Sequence, residues 1–307
     1  MRGTLALWLL VLAPSAASGQ WTALDVPARP GDQQSLLEGG RAIYDEHCWY
    51  CHGEEGDGLG PVARYLWPRP RDFQLASFKF RTTPSGELPT DEDLFRTITL
   101  GAPGTAMPAW GDVLTERERW QVIAYVKSLA GGLFEDEAFD PYDVVVDVDR
   151  PPDAPARSLA EAGRRVYEES DCWECHGAAG RGDGPKADEL TDDAGLPILA
   201  TDLELAWKFR GGSAPRDIFL RLGTGLDGTP MPSYAQTLTD EERWQVAYFV
   251  ASLATEATAE ARASVVIPAF RLDAVPPDDP ADVRWEEVTP VHVPLTGQAT
   301  YPPRWQI

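Results

Sequence analysis

"CWYCH" occupies residues 48–52 and "CWECH" occupies residues 172–176, and these two pentapeptides hold all four cysteines of the chain. A C-x-x-C pair followed directly by histidine has four chemical readings. A thioredoxin-type redox pair needs a strand-to-helix setting within a βαβ pattern. Here each motif follows a helix-like stretch and precedes a Gly-rich one. A zinc site usually pairs two such clusters to reach four ligands, but these clusters sit in separate repeats of the chain. A plain disulfide, allowed after export, leaves the histidine without a role. Covalent attachment of a c-type haem uses all three side chains: two thiols bond the macrocycle and the histidine lies under the iron as proximal ligand.

The repeat extends well beyond the motif. At an offset of 124 residues, Cys51 and His52 fall on Cys175 and His176, and Met107-Pro108 falls on Met231-Pro232. "LTERERWQV" (114–122) falls on "LTDEERWQV" (238–246) at the same offset, whereas "FKFR" (78–81) meets "WKFR" (207–210) at 129. Matches held at one offset, with small shifts between anchors, mark a tandem duplication whose loops changed length.

A six-coordinate haem needs a second axial ligand. The chain has three methionines, and apart from Met1 they are Met107 and Met231, each 55 residues after its histidine. Methionine is commonly a flexible core filler, but filling does not explain matched places in a repeat. A thioether ligand also raises the reduction potential of a haem. The expected iron ligands are therefore His52 with Met107 and His176 with Met231. Cys48 and Cys51 attach the first haem, and Cys172 and Cys175 the second.

Composition bounds what else the chain does. It has 307 residues, 43% hydrophobic and 25% charged, enough for two modest domains. A net charge of −22 repels phosphate backbones and anionic lipid alike, so nucleic acid is not an expected partner. Redox proteins with a basic docking patch are. Residues 1–19 read as a secretory signal peptide: Arg2, an apolar run from Leu5 to Leu12, then small residues. That run is too short to span a bilayer, so the expected location is exported, in the periplasm or on the outer face of the cytoplasmic membrane.

Each repeat opens on a helical pattern, "LLEGGRAIYDEH" or "LAEAGRRVYEES", and closes on a stronger one. Thr115 and Thr239, with Glu118 and Glu242 three residues on, are the expected N-caps of the closing helices, and Gly131-Gly132 can stop the first. The stretch between the motif and the closing helix reads as loop. The expectation is a mostly α fold: domains at 36–132 and 158–255, a linker at 133–157 and an irregular tail at 256–307. The "YDVVVDV" core of the linker reads as extended, as does a run around Val291 to Leu295 in the tail.

Each repeat resembles a class I cytochrome c domain: an N-terminal helix, C-x-x-C-H, a long loop ending in Met-Pro, and a C-terminal helix packed across the first. The resemblance implies two covalently bound haems c, electron transfer with no small-molecule substrate, and packing of Gly40 and Tyr44 on the Trp120–Tyr125 face. Gly163 and Tyr167 would meet Trp244 and Phe249 in the same way. The tail segment "DVRWEEVTPVHVPLTGQATYPPR" resembles the opening of the haem-binding domain of ethylbenzene dehydrogenase-type gamma subunits. The leading expectation is an exported dihaem electron carrier. The rivals are a subunit of a larger molybdenum-enzyme or oxidase complex and a dihaem peroxidase, which would need an open sixth position.

Overall fold

A computed structural model describes residues 21–135, 140–148, 150–256, 269–270 and 290–291. The expected signal peptide and most of the tail, including the segment resembling ethylbenzene dehydrogenase subunits, lie outside the described residues. The chain divides into a unit spanning Met1–Ala254 and a second spanning Thr255–Ile307. In the second, Ala269–Phe270 and Pro290–Val291 pair as a two-residue antiparallel ladder.

The first unit is helical and contains both repeats. Helix α1 spans Gln33–His47 and starts at Asp32, whose carboxylate accepts from the Ser35 amide. The motif itself forms the short helix α2, Trp49–His52. Helix α3, Asp91–Leu100, lies in what reads as loop in the sequence. Thr90 and Asp93 exchange side-chain-to-backbone bonds there, and this capping box lets ten residues hold a helix. Helix α4, Glu116–Ser128, is capped as expected by Thr115 and Glu118. The second repeat supplies the counterparts α5 (Ala156–Glu169), α6 (Trp173–His176), α7 (Pro215–Thr224) and α8 (Asp240–Glu256). Thr239 and Glu242 cap α8 in the same reciprocal way. In the linker, Pro141–Val144 is a tight helical turn, so Tyr142 to Val144 depart from the expected extended run. Asp140 accepts from the Tyr142 amide, and Pro141 presets the turn at its first position.

The end helices cross at glycine in both repeats. Leu36, Gly40 and Tyr44 share one face of α1. A Cβ at Gly40 would overlap the Gln121 carbonyl oxygen, and one at Gly163 would overlap that of Gln245. Only glycine permits this approach. Tyr44 then packs on Tyr125, ring centroids 5.1 Å apart, and Tyr167 packs on Phe249 at 5.2 Å. Beside each crossing, Phe95 stacks against Trp120 and Phe219 against Trp244, all four buried. Aromatic pairs of this kind contribute about 0.5–1.5 kcal/mol beyond their buried area.

Buried arginines join the repeats in both directions. Arg81, fully buried, donates to the Phe78 carbonyl at 2.7 Å and the Pro84 carbonyl at 3.0 Å in its own repeat. Across the boundary it donates to the Thr224 carbonyl at 2.9 Å and pairs with Asp227 at 2.8 Å. Arg221 reaches back to the carbonyls of Lys79 at 3.2 Å and Arg81 at 2.5 Å. Trp21, 1% exposed, lies under the guanidiniums of Arg96 from the first repeat and Arg221 from the second. Its amide and that of Thr22 donate to Asp217.

Candidate functional site

A single helical turn makes the motif chemistry converge. Cys48, Cys51 and His52 stand at i, i+3 and i+4, positions that share one face of a helix. The His52 amide closes that turn on the Cys48 carbonyl at 3.0 Å, as His176 does on Cys172. The tyrosine of the preceding helix locks the turn's end. Tyr44 Oη donates to the Gly53 carbonyl at 2.7 Å, and Tyr167 Oη to that of Gly177 at 2.7 Å.

Each histidine is oriented by a backbone carbonyl: His52 Nδ1 lies 3.0 Å from Arg71 O, and His176 Nδ1 lies 3.0 Å from Thr201 O. A carbonyl only accepts, so Nδ1 carries the proton and the Nε2 lone pair is left to bind a metal. Burial pushes both imidazole pKa values below the usual histidine range, which keeps the rings neutral as ligation requires. Burial, reinforced by Cys51, pushes the Cys48 thiol up to about 12, and burial pushes Cys172 up to about 11.

The methionine loops match bond for bond. The Met107 amide donates to Thr105 Oγ1 at 3.1 Å, and the Ala102 amide donates to the Met107 carbonyl at 3.1 Å. In the second repeat the Met231 amide donates to Thr229 Oγ1 at 3.3 Å, and the Leu226 amide to the Met231 carbonyl at 3.2 Å. Both loops leave their helix through a glycine with positive φ, Gly101 at 67° and Gly225 at 65°. A Cβ there would also strike the backbone around Pro108 or Pro232.

These parts line two clefts. The first brings together Cys48, Cys51, His52 and Met107, and the second Cys172, Cys175, His176 and Met231. Counted to their open mouths, the clefts have volumes of about 1390 and 1350 Å³. The C-x-x-C pairs line different clefts, so the four thiols do not converge on one metal.

Residues 35–126 match the family described as cytochrome c oxidase, cbb3-type, subunit III, and residues 160–254 match the family described as cytochrome c. A solved chain of the reducing HAO-like protein complex of Kuenenia stuttgartiensis is 46% identical and superposes with a TM-score of 0.67, over 75% of this chain and 99% of that one. The chain belongs to the dihaem class I cytochromes c. Curated relatives of this cytochrome include the cbb3-type cytochrome c oxidase subunit FixP of Sinorhizobium medicae, 25% identical over 237 residues, or 75% of this chain and 64% of that protein. Another is the cbb3-type oxidase subunit CcoP of an Azospirillum species, 27% identical over 224 residues, or 71% and 62% of the two chains. The cytochrome thus spans less than two thirds of the length of these relatives.

The cytochrome carries two covalently bound c-type haems. The residues present fit that cofactor. Each cleft offers two thiols for attachment, a neutral imidazole with its distal nitrogen free, and a thioether on a separate loop. Several cleft residues were not read from the sequence. His47 lines the first cleft and packs at a tilt on Trp110 with ring centroids 5.2 Å apart. Tyr234, which the 124-residue offset places over Trp110, lines the second. Lys79, Phe80 and Arg210 line both clefts. Their only sequence signal is the paired "FKFR" and "WKFR".

Proposed function

We propose that this dihaem cytochrome is an electron carrier without catalytic activity of its own, with His52 and Met107 on one iron and His176 and Met231 on the other. The observation that carries this reading is the duplicated Met-Pro loop. Each cleft has its own thioether, on a loop held by the same threonine and carbonyl bonds in both repeats. The bound haem supplies a one-electron iron couple. The chain's part is to hold the axial groups in place, to exclude water with the aromatic core beside each crossing, and to keep each imidazole neutral. An enzyme that acts on peroxide needs a displaceable sixth ligand, and an identical loop in each repeat supplies none.

The haem modules correspond to residues 36–132 and 158–255, joined by residues 133–157, after export directed by residues 1–19 to the periplasm or the outer face of the cytoplasmic membrane. Among the described residues no helix is long and apolar enough to cross a membrane. Partners are redox proteins that meet the strongly acidic chain through a basic patch. The relatives named as oxidase subunits and as part of an HAO-like complex support work as a haem subunit within a larger respiratory assembly. The test is a spectroscopic redox titration of the purified protein with and without carbon monoxide. The expected result is two haems, both retained through acidified acetone, and no carbon monoxide binding in the reduced protein. Ready binding at one haem would make that site open and favour the peroxidase reading for that repeat.

A further inference from the structure

The two clefts share a wall. Lys79 and Phe80 come from the first repeat and Arg210 from the second, and all three face both cavities. Arg71 lines the first cleft and also reaches the second repeat: a Cβ on Gly228 would stand 2.8 Å from its Nη1. Gly228 lies in the loop that leads to Met231. These cations stand close enough to act on one another, and Arg71 and Arg210 both disfavour the charge on Lys79. Together with burial, the first cause, they push the Lys79 pKa down to about 8. Asp192 and Asp193 act on Lys79 and Arg71 in the opposite sense, and Asp227 and Asp72 on Arg71. Yet among the described residues no carboxylate forms an ion pair with Lys79, Arg71 or Arg210.

Partly buried cations crowded together without bonded anions are costly unless an anion joins them. A c-type haem brings two carboxylates, its propionates, and guanidinium forks suit carboxylates well. We propose that Lys79, Arg71 and Arg210 form one cationic seam common to both haem sites, which binds propionates from both haems and ties their reduction potentials together. This rests on the placement of one haem in each cleft. Reduction adds a negative charge at the iron, so a nearby cation favours the reduced state, and a cation on the shared wall acts on both irons.

The experiment uses the full-length holoprotein with Lys79→Gln and Arg210→Gln made separately, so that either variant decides. Intact mass counts the attached haems first. Fewer than two on the unmodified chain overturns the placement, and the seam with it. With two haems present, spectroelectrochemical titration resolves two midpoints. Each single substitution is expected to lower both midpoints, with roughly a tenfold fall in each reduction equilibrium constant, or about 59 mV for one electron. Lys79→Arg should keep both midpoints, as should Arg157→Gln on the exposed face of α5. A shift at one haem only, or at neither, overturns the seam.

Discussion

Replacing Arg81 by methionine keeps the apolar stem and removes the guanidinium that bridges the repeats. Four contacts disappear: the carbonyls of Phe78, Pro84 and Thr224, and the ion pair with Asp227. Asp227 keeps its bonds from Ser85 Oγ and the Gly86 amide, so its charge is not stranded. The Pro84 carbonyl also keeps the Glu87 amide at 3.2 Å, but those of Phe78 and Thr224 have no such reserve, and each costs about 1–3 kcal/mol if left buried and unpaired. Removing one partner of a buried pair costs about 3–5 kcal/mol in measured cases. Relaxation around the methionine keeps the sum from adding fully, so about 3–5 kcal/mol is the expected loss. In chains of this size 1 kcal/mol shifts the melting point by about 2–4 °C, so the midpoint should fall by roughly 6–20 °C. Two of the four contacts cross between repeats. Calorimetry should therefore show the transition broaden or split as the repeats melt separately. A midpoint within about 2 °C of the unmodified protein, with one unchanged transition, would refute the view that Arg81 joins the repeats.

Gly163→Ala places a methyl group against the Gln245 carbonyl and should cost at least about 1–3 kcal/mol in chemical denaturation, because backbone cannot move aside as a side chain can. Met107→Ala should lower the first haem's potential and admit carbon monoxide there, leaving the second iron closed; visible spectra under carbon monoxide check this, and carbon monoxide binding at the second haem would break the assignment. Tyr44→Phe removes the bond to the Gly53 carbonyl and should destabilise the first repeat by about 1–3 kcal/mol, measured by thermal melts followed at the Soret band. Electron exchange with a basic partner should slow as ionic strength rises, since charges beyond roughly 10 Å are screened at 0.1 M salt. A rate indifferent to salt would show that the net charge of −22 serves solubility alone.

What the sequence disclosed follows from which interactions are local. The motif turn and the Thr115 and Thr239 caps depend on residues a few positions apart or on matched places in a repeat, and both were readable; the glycine crossings join residues some 80 positions apart and were implied only by the resemblance to class I cytochrome c domains. Helix α3 escaped because its ten residues sit between Gly- and Pro-rich stretches, and its cap ends in aspartate where glutamate or glutamine is the usual signal. The linker's extended reading failed at Tyr142 to Val144 because three consecutive valines outweighed the Asp140-Pro141 start of a turn. His47 escaped because its contact, Trp110, is 63 residues away. Arg81 and Arg221 were unreadable for the same reason at longer range. Nothing in the neighbourhood of a surface-type residue announces that its partners lie some 140 residues on.

A tandem duplication begins as two interchangeable copies, either of which can be lost without harm to the other. That freedom has gone here. The Lys208 side chain of the second repeat packs against Gly104 in the first methionine loop, and Arg71 of the first packs against Gly228 in the second. Each copy thus holds the loop that carries its sister's proposed methionine ligand. Deleting either half would also deform the survivor, so selection acts on the pair as one heritable part, and a single-haem descendant would first have to rebuild a support it had delegated.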